Sequence, residues 1–450
     1  MAASAMQFEQ LSFFEDEPAP LLQIVEERVP LEQKVRAVID EIKELYLDRS
    51  TPGPWSIACS FGKDSSAVLA LVTWALAEID KGDWWRHVHV VTSDTKVENP
   101  IMSIYAHRQS EKVNEWAAAI GAPLTSHIVS RETKRSFWYQ HIGCGYPPPG
   151  NGKDRTCTHS LKIEPQNKFL QKLKPSLLFL GSRDEESARR ARTIKKYAEE
   201  RDSRFGYSPY QKGIRFYTPI RDWDADELWE FLQAPFLWGS SIELRMIYRE
   251  GTGECGILNP YGATKGRHAC GTRFGCWICL PITVDKSLDN MSDSHPWMLP
   301  LANFRSEMKK LWDSKVSPQN RTGFMRNRKR LGYGQGCVSL PTRKYMLDRL
   351  LATQEEVNEL RAQEDLEPIV LISLKELNLI RKQWAEDEEQ RQWLFGAREL
   401  RRQVADTNLT MEQRRAAAIV LESTRRKPRA ASAVLKPRGK KKAARSRKSA

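Results

Sequence analysis

Residues 55–66 have the sequence Trp-Ser-Ile-Ala-Cys-Ser-Phe-Gly-Lys-Asp-Ser-Ser, and this stretch decides the fold of the chain. Its first five residues predict a short buried strand, and the apolar period after the loop predicts a helix over 65–79. A strand that passes through a glycine-containing turn into a helix is suited to bind phosphate. Backbone N–H groups point into such a turn, and the helix N-terminus adds partial positive charge.

The residue types of the loop suit a nucleoside triphosphate. Gly62 lets a ligand approach the backbone closely, Lys63 can neutralise phosphate charge, and Asp64 can orient the loop or hold Mg²⁺. The loop lacks the spacing of a Walker A loop, and an ordinary turn with a helix cap is the alternative. The predicted nucleotide-binding residues of the loop are Ser60, Phe61, Gly62, Lys63, Asp64, Ser65 and Ser66.

Strands and helices alternate around this loop. A helical period follows Pro30, strands are predicted over 87–92, 124–129 and 176–181, and a helix is predicted over 104–120. This alternation predicts an α/β protein with a parallel sheet and helices on both faces.

Four cysteines follow in a glycine-rich stretch with little periodicity. Cys276 and Cys279 form a Cys-x-x-Cys pair, with Cys270 six residues before the pair and Cys255 a further fifteen residues upstream. Zinc, a redox pair, a cluster and buried structural cysteines are all possible for such residues. Structural zinc usually takes two close pairs, so one pair with two single cysteines favours a [4Fe–4S] cluster on four thiolates. Cys157 and Cys337 are candidates for a substitute ligand or a sulfur carrier.

The composition limits the class of protein. The 450 residues allow two or three domains, and 28% of them are charged. No apolar run approaches the roughly 18 residues that span a membrane, and the N-terminus does not resemble a secretory signal, so we expect a cytoplasmic protein. In such a protein, eight cysteines favour metal binding or catalysis over disulfides.

The positive charge is concentrated at the C-terminus. Of the net charge of +14, residues 425–450 contribute twelve Lys or Arg and no acid, so the rest of the chain carries only +2. A segment of this composition cannot bury enough apolar surface to fold, and we expect a disordered tail. Such a tail attracts nucleic-acid phosphates; a solvated tail that aids solubility is the alternative.

Three segments resemble the PP-loop ATP pyrophosphatases and the phosphoadenylylsulfate reductase-like superfamily. The loop is similar to their Ser-Gly-Gly-x-Asp-Ser pattern, with Phe61 in place of one glycine. Residues 155–165 resemble the Cys-Thr…Lys-x-x-Pro segment, and residues 181–190 resemble the Gly-x-Arg-x-x-Glu-Ser-x-x-Arg segment. The resemblance implies a PP-loop adenine nucleotide hydrolase-like fold, with guanidinium groups facing phosphate. For residues 189–192 an exposed basic helix face is the alternative. The implied catalytic residues are Lys63, Asp64, Lys162 and Arg183, and the implied further nucleotide-binding residues are Asp94, Glu186, Ser187 and Arg190.

Other motifs resemble the DndC family of DNA phosphorothioation proteins over about residues 30–350. The most specific is Ala-Cys-Gly-Thr-Arg-Phe-Gly-Cys-Trp-Ile-Cys at 269–279, with Gly256 a departure where the family tends to have proline. The other matching motifs are Phe137-Trp138, residues 143–147, residues 235–239, Glu254-Cys255 and Asp285-Lys286-Ser287.

This resemblance implies ATP-dependent sulfur transfer in DNA modification, of the kind associated with restriction–modification. ATP with Mg²⁺ would adenylate the DNA backbone phosphate and release pyrophosphate, and a sulfur nucleophile would then displace AMP. The implied partners are DNA, a cysteine desulfurase as sulfur donor and other phosphorothioation proteins, with no membrane. The alternatives are a sulfonucleotide reductase, a tRNA thiolase and a non-catalytic DNA-binding scaffold. The reductase is disfavoured by the absence of a Cys-Cys pair and of a cysteine near the C-terminus.

We predict five regions along the chain. These are an N-terminal helical segment (1–50), an ATP pyrophosphatase domain (51–235), a cluster-bearing region (236–343), a helical C-terminal region (344–424) and the basic tail (425–450).

Overall fold

The computed structural model describes residues 29–148, 156–186, 195–209, 213–252, 274–311, 320–327 and 335–387, with a few single residues between and beyond these ranges. Several predictions concern residues outside these ranges: Ser187, Arg190, Cys255, Cys270 and the basic tail.

A six-stranded sheet forms the centre of the described part of the chain, in the order β3-β2-β1-β4-β6-β5. The predicted α/β class is confirmed, because every neighbouring pair is parallel except the edge pair of β5 and β6. The antiparallel edge corrects the expectation of a wholly parallel sheet. The strands are β1 (Trp55–Ala58), β2 (Val88–Asp94), β3 (Leu124–Ser130), β4 (Leu177–Leu180), β5 (Phe205–Tyr207) and β6 (Arg215–Tyr217).

The helix predicted after Pro30 begins at Leu31, and the helix predicted over 65–79 spans Lys63–Glu78. The helix predicted over 104–120 begins four residues earlier, because the Asn99 side chain accepts hydrogen bonds from the N–H groups of Ile101 and Met102. The main helices are α1 (Leu31–Leu47), α2 (Lys63–Glu78), α3 (Pro100–Ile120), α4 (Glu164–Leu173), α5 (Ala225–Phe231), α6 (Ile242–Thr252), α7 (Lys286–Ser294), α8 (Leu299–Leu311) and α9 (Leu340–Gln363).

Helices cover both faces of the sheet, as predicted. On one face of β3 the Ser126 hydroxyl hydrogen-bonds to Ser110 of α3 over 2.7 Å. On the other face, the His127 ring packs against Phe169 of α4, with 4.9 Å between ring centroids. Successive side chains of a strand point to opposite faces, so α3 and α4 must lie on opposite sides.

The C-terminal helices pack onto the same core. The indole N–H of Trp138 donates to the Leu371 carbonyl over 2.8 Å, and that of Trp384 donates to the Ile142 carbonyl over 2.9 Å. The helical C-terminal region is therefore present through residue 387, as α9 and the helical residues 374–387. Within the described ranges, every helix is too short or too polar to cross a bilayer.

Candidate phosphate and thiol site

A cavity of about 310 Å³ lies where β1 and β4 end and α2 begins. The chain leaves β1 towards β2 and β3 on one side and returns to form β4 on the other, so this point is a topological switch of the sheet. Open α/β sheets bind ligands at such switches, outside the carboxyl ends of their strands. Of the predicted site residues, Ser60, Gly62, Asp64, Ser65 and Lys162 line the cavity.

Phe61 has a left-handed backbone conformation. Its φ is +54°, in the left-handed region that disfavours most side chains. The side chain is fully buried, and the backbone N–H donates to Cys59 Sγ over 3.4 Å. The aromatic ring therefore anchors the loop in the core.

The hydroxyls of Ser65 and Ser66 differ in their contacts with the loop. The Ser60 N–H donates to Ser65 Oγ over 3.1 Å, and Ser65 Oγ donates to the Gly62 carbonyl over 3.2 Å. These bonds close the loop on itself beside the cavity. Ser66 does not line the cavity; its hydroxyl is buried and has no hydrogen-bond partner within the described residues.

Asp64 links the loop to the end of β4. Its carboxylate lies 2.7 Å from Lys63 Nζ and 2.6 Å from Arg183 Nε, and both cations are buried. Arg183 also donates to Glu185 and to the Trp223 carbonyl. The structure thus places these two predicted catalytic cations on Asp64, where they orient its carboxylate, and not on the wall of the cavity.

Gly181 makes this close contact possible. A Cβ at this position would lie 2.9 Å from the backbone carbonyl carbon and oxygen of Asp64 and from the N of Ser65. Real Cβ atoms do not come this close to backbone, so the end of β4 can meet the first turn of α2 only through a glycine.

Lys162 connects the cavity to the thiol-bearing segment. Its Nζ lies 2.7 Å from Glu98, which also lines the cavity and forms an antiparallel bridge with Cys276. Burial opposes the charge of Lys162, but Glu98 and the nearby Cys276 outweigh it, and the pKa of the ammonium is raised. Burial raises the pKa of Cys276 to about 12, and the nearby Lys162 ammonium acts against this rise.

Cys276 and Cys279 lie on one tight turn. The Cys279 N–H donates to the Cys276 carbonyl over 2.9 Å, and Trp277 and Ile278 between them are buried. Burial raises the pKa of Cys279, and the nearby Cys157 thiol adds to the effect. No group of three or more metal-ligating side chains occurs within the described ranges. Two thiols on one apolar turn suit half of a four-thiolate set, and Cys255 and Cys270 lie outside the described residues.

Two other predicted nucleotide-binding residues have different surroundings. Asp94, at the end of β2, pairs with Lys96 at 2.7 Å and with His107 at 3.0 Å, and it does not line the cavity. Burial opposes its ionisation, but the hydrogen bonds from His107 and Lys96 prevail and lower its pKa. Glu186 belongs to the short turn Asp184–Glu186 after β4, close in sequence to Arg183.

Most of the cavity wall was not predicted, and three of its unpredicted residues make polar contacts at the site: Asn99, Glu98 and Tyr248. Asn99 has a local signal, because asparagine before proline is typical of a helix start, and its N–H donates to the Gly275 carbonyl over 3.1 Å. Glu98 and Tyr248 have no such signal. Tyr248 reaches the loop across 185 residues of chain, where its hydroxyl accepts from the Lys63 N–H over 3.3 Å.

Comparison with known proteins identifies one family and two distant structures. Residues 54–280, just over half of the chain, match the Phosphoadenosine phosphosulfate reductase domain. No curated protein matches the sequence. Candida glabrata FMN adenylyltransferase, in complex with FAD and inorganic pyrophosphate, is 14% identical with a TM-score of 0.30, over 51% of this chain and 65% of that chain. The Methanococcus maripaludis U34-tRNA thiolase NcsA, with its [4Fe–4S] cluster, is 13% identical with a TM-score of 0.28, and the match covers 62% of this chain and 80% of that chain. TM-scores this low support no argument about activity.

Proposed function

The chain belongs to the Phosphoadenosine phosphosulfate reductase domain family, and from this premise we propose that it is an ATP-dependent sulfurtransferase of DNA phosphorothioation. One observation carries the proposal. A single cavity has the phosphate loop on one wall and Phe274 and Gly275, which directly precede Cys276, on another. A nucleotide in this cavity and a sulfur nucleophile delivered beside the turn that carries Cys276 would meet at Lys162.

The first proposed step is adenylation of the acceptor phosphate. A non-bridging oxygen of a DNA phosphodiester attacks the α-phosphorus of ATP, an O–P bond forms, and the bond to pyrophosphate breaks. The N-terminus of α2 and the loop N–H groups would hold the phosphates, and Lys162 would neutralise charge that develops at the acceptor. The Ser60–Ser65 bonds and the Asp64–Arg183 pair keep the loop in place for this step.

The second proposed step forms the phosphorus–sulfur bond. A sulfur nucleophile attacks the adenylated phosphorus, and AMP leaves with the former phosphate oxygen. With hydrosulfide as nucleophile, no atom changes oxidation state. With a persulfide from a cysteine desulfurase, the outer sulfur bonds to phosphorus. A second thiol then attacks the sulfur of the carrier cysteine, a disulfide forms between these two cysteines, and the S–S bond to the transferred sulfur breaks. The transferred sulfur is thereby reduced and the two cysteine thiols are oxidised. Cys157, close to Cys279, is a candidate for the second thiol.

The proposed reaction uses two cofactors, a [4Fe–4S] cluster and Mg²⁺. Cys276 and Cys279, with Cys255 and Cys270, would hold a [4Fe–4S] cluster, which would supply a redox-active centre when bound. Mg²⁺ bound with ATP would add charge neutralisation at the phosphates. The family resemblance of residues 269–279 and the charge of the C-terminal tail support DNA as the acceptor, with other phosphorothioation proteins as partners.

The experiment uses the holoprotein, prepared without oxygen, with ATP, Mg²⁺, DNA, a cysteine desulfurase and cysteine. Pyrophosphate release and phosphorothioate dinucleotides in digested DNA are measured by coupled assay and mass spectrometry. We expect Lys162→Ala to reduce both by about 100-fold, the typical effect of removing one charge-stabilising donor. Lys382→Ala, a control on an exposed surface of the helical residues 374–387, should act as wild type.

Three results would count against the proposal. Absence of pyrophosphate release by wild type would favour a non-catalytic scaffold. Pyrophosphate release with thiolated tRNA and unmodified DNA would identify a tRNA thiolase. Equal activities of Lys162→Ala and Lys382→Ala would remove Lys162 from the mechanism.

A further inference from the structure

The hydroxyl of Tyr248 lies over the phosphate loop. Tyr248 belongs to α6, and its Oη accepts a hydrogen bond from the Lys63 N–H over 3.3 Å. A Cβ placed on Gly62 would lie 3.1 Å from the same oxygen. The hydroxyl therefore covers the two backbone positions that a phosphate must approach to reach the N-terminus of α2.

This contact replaces a missing helix cap. Gly62 occupies the N-cap position of α2 and has no side chain to accept from the first-turn N–H groups. Tyr248 supplies an acceptor from another element. A neutral phenol is a weaker partner for this position than a phosphate anion, because the helix macrodipole favours negative charge at its N-terminus.

The ring of Tyr248 is held in place. It packs edge-on against Trp229 and Phe274, with ring centroids 5.2 Å and 5.0 Å away, and only 6% of the residue is exposed. This packing keeps the hydroxyl oxygen beside the Lys63 N–H when no nucleotide is bound. A single N–H donates along one direction, so a phosphate oxygen in line with it must displace the phenol oxygen.

We propose that Tyr248 is a placeholder for a nucleotide phosphate, and that its hydroxyl and the phosphate compete for the Lys63 N–H. This inference rests on the proposed function only in requiring that the loop binds nucleotide phosphate. The loop does not depend on Tyr248 for its shape, because the Ser60–Ser65 bonds and the pair between Asp64 and Arg183 already hold it. Removing the hydroxyl should therefore remove the competitor and leave the site intact.

The test measures nucleotide affinity by isothermal titration of the full-length holoprotein with Mg²⁺ and an α,β-methylene analogue of ATP, which cannot be cleaved to AMP. Tyr248→Phe keeps the ring and removes only the hydroxyl. We expect it to bind the analogue roughly 2- to 10-fold more tightly than wild type, the effect of removing one ordinary hydrogen bond from the free state. Tyr207→Phe is the matched control, because Tyr207 is 55% exposed on β5.

Hydrogen exchange of the Lys63 amide is the second measurement. Without nucleotide, this amide should exchange faster in Tyr248→Phe than in wild type, and the analogue should slow it in both. Wild-type binding with equal or weaker binding by Tyr248→Phe would overturn the placeholder and leave the proposed function standing. If neither protein binds the analogue, both proposals fail.

Discussion

Replacement of Phe61 tests how the loop holds its shape. Phe61 is fully buried and has a φ of +54°. Removing its ring in Phe61→Ala should cost about 3–5 kcal/mol of stability, the usual range for a buried phenylalanine. Alanine keeps the left-handed strain of about 1–2 kcal/mol, which glycine does not suffer. Glycine loses about 0.5–1 kcal/mol more chain entropy on folding.

These terms predict an inverted order of stability. Phe61→Gly should be more stable than Phe61→Ala by up to about 1.5 kcal/mol, although both are less stable than wild type. The assay is urea unfolding followed by tryptophan fluorescence, because Trp55 of the adjacent strand is buried and reports on this core.

Phe179 provides the matched control. It is fully buried on β4 and does not have a positive φ. There the ordinary order should hold, with Phe179→Gly less stable than Phe179→Ala by about 0.5–1 kcal/mol. If Phe61→Gly is no more stable than Phe61→Ala, the left-handed backbone does not determine the preference at this position and the reasoning is refuted.

Three further changes have defined outcomes. Gly181→Ala should disturb the contact with Asp64 and weaken nucleotide binding at least 10-fold. An unchanged nucleotide affinity in isothermal titration would show that β4 can shift freely. Burial and the neighbouring histidines lower the pKa of His89 to about 4. In the unfolded chain the pKa of His89 is about 6.5, so between these two pKa values the unfolded chain binds more protons than the folded protein. The free energy of unfolding should decrease as pH falls between these two values. His89→Gln should weaken this dependence on pH, as measured by urea unfolding at a series of pH values. Trp384→Phe should cost about 1–3 kcal/mol, because the buried Ile142 carbonyl loses its donor; an unchanged melting temperature would contradict this.

The phosphate loop and its flanking elements could be predicted because their signals are local. The apolar run of β1, the glycine at the turn and the apolar period of α2 each depend on neighbours in sequence. The strands β5 and β6 were missed because three residues do not establish a period. Their place at the sheet edge depends on pairing with β4, which no local pattern encodes.

The partners of the charged candidate site residues could not be predicted from sequence. Lys63, Asp64 and Arg183 have the types expected at a phosphate site, yet their side chains pair with one another. Asp94 ends its strand facing His107 of α3. A buried charge is costly unless another group compensates it, and the compensating group comes from whichever element packs nearby.

Local pattern alone was enough for the α/β class and for the strand, loop and helix around residues 55–78, because each depends on residues a few positions apart. Only the tertiary structure placed Lys162, Glu98 and Tyr248 around one cavity. These three residues come from separate parts of the chain, and no sequence spacing relates them. They meet because the sheet order puts the ends of β1 and β4 side by side, and the packing of α6 then brings Tyr248 over the loop.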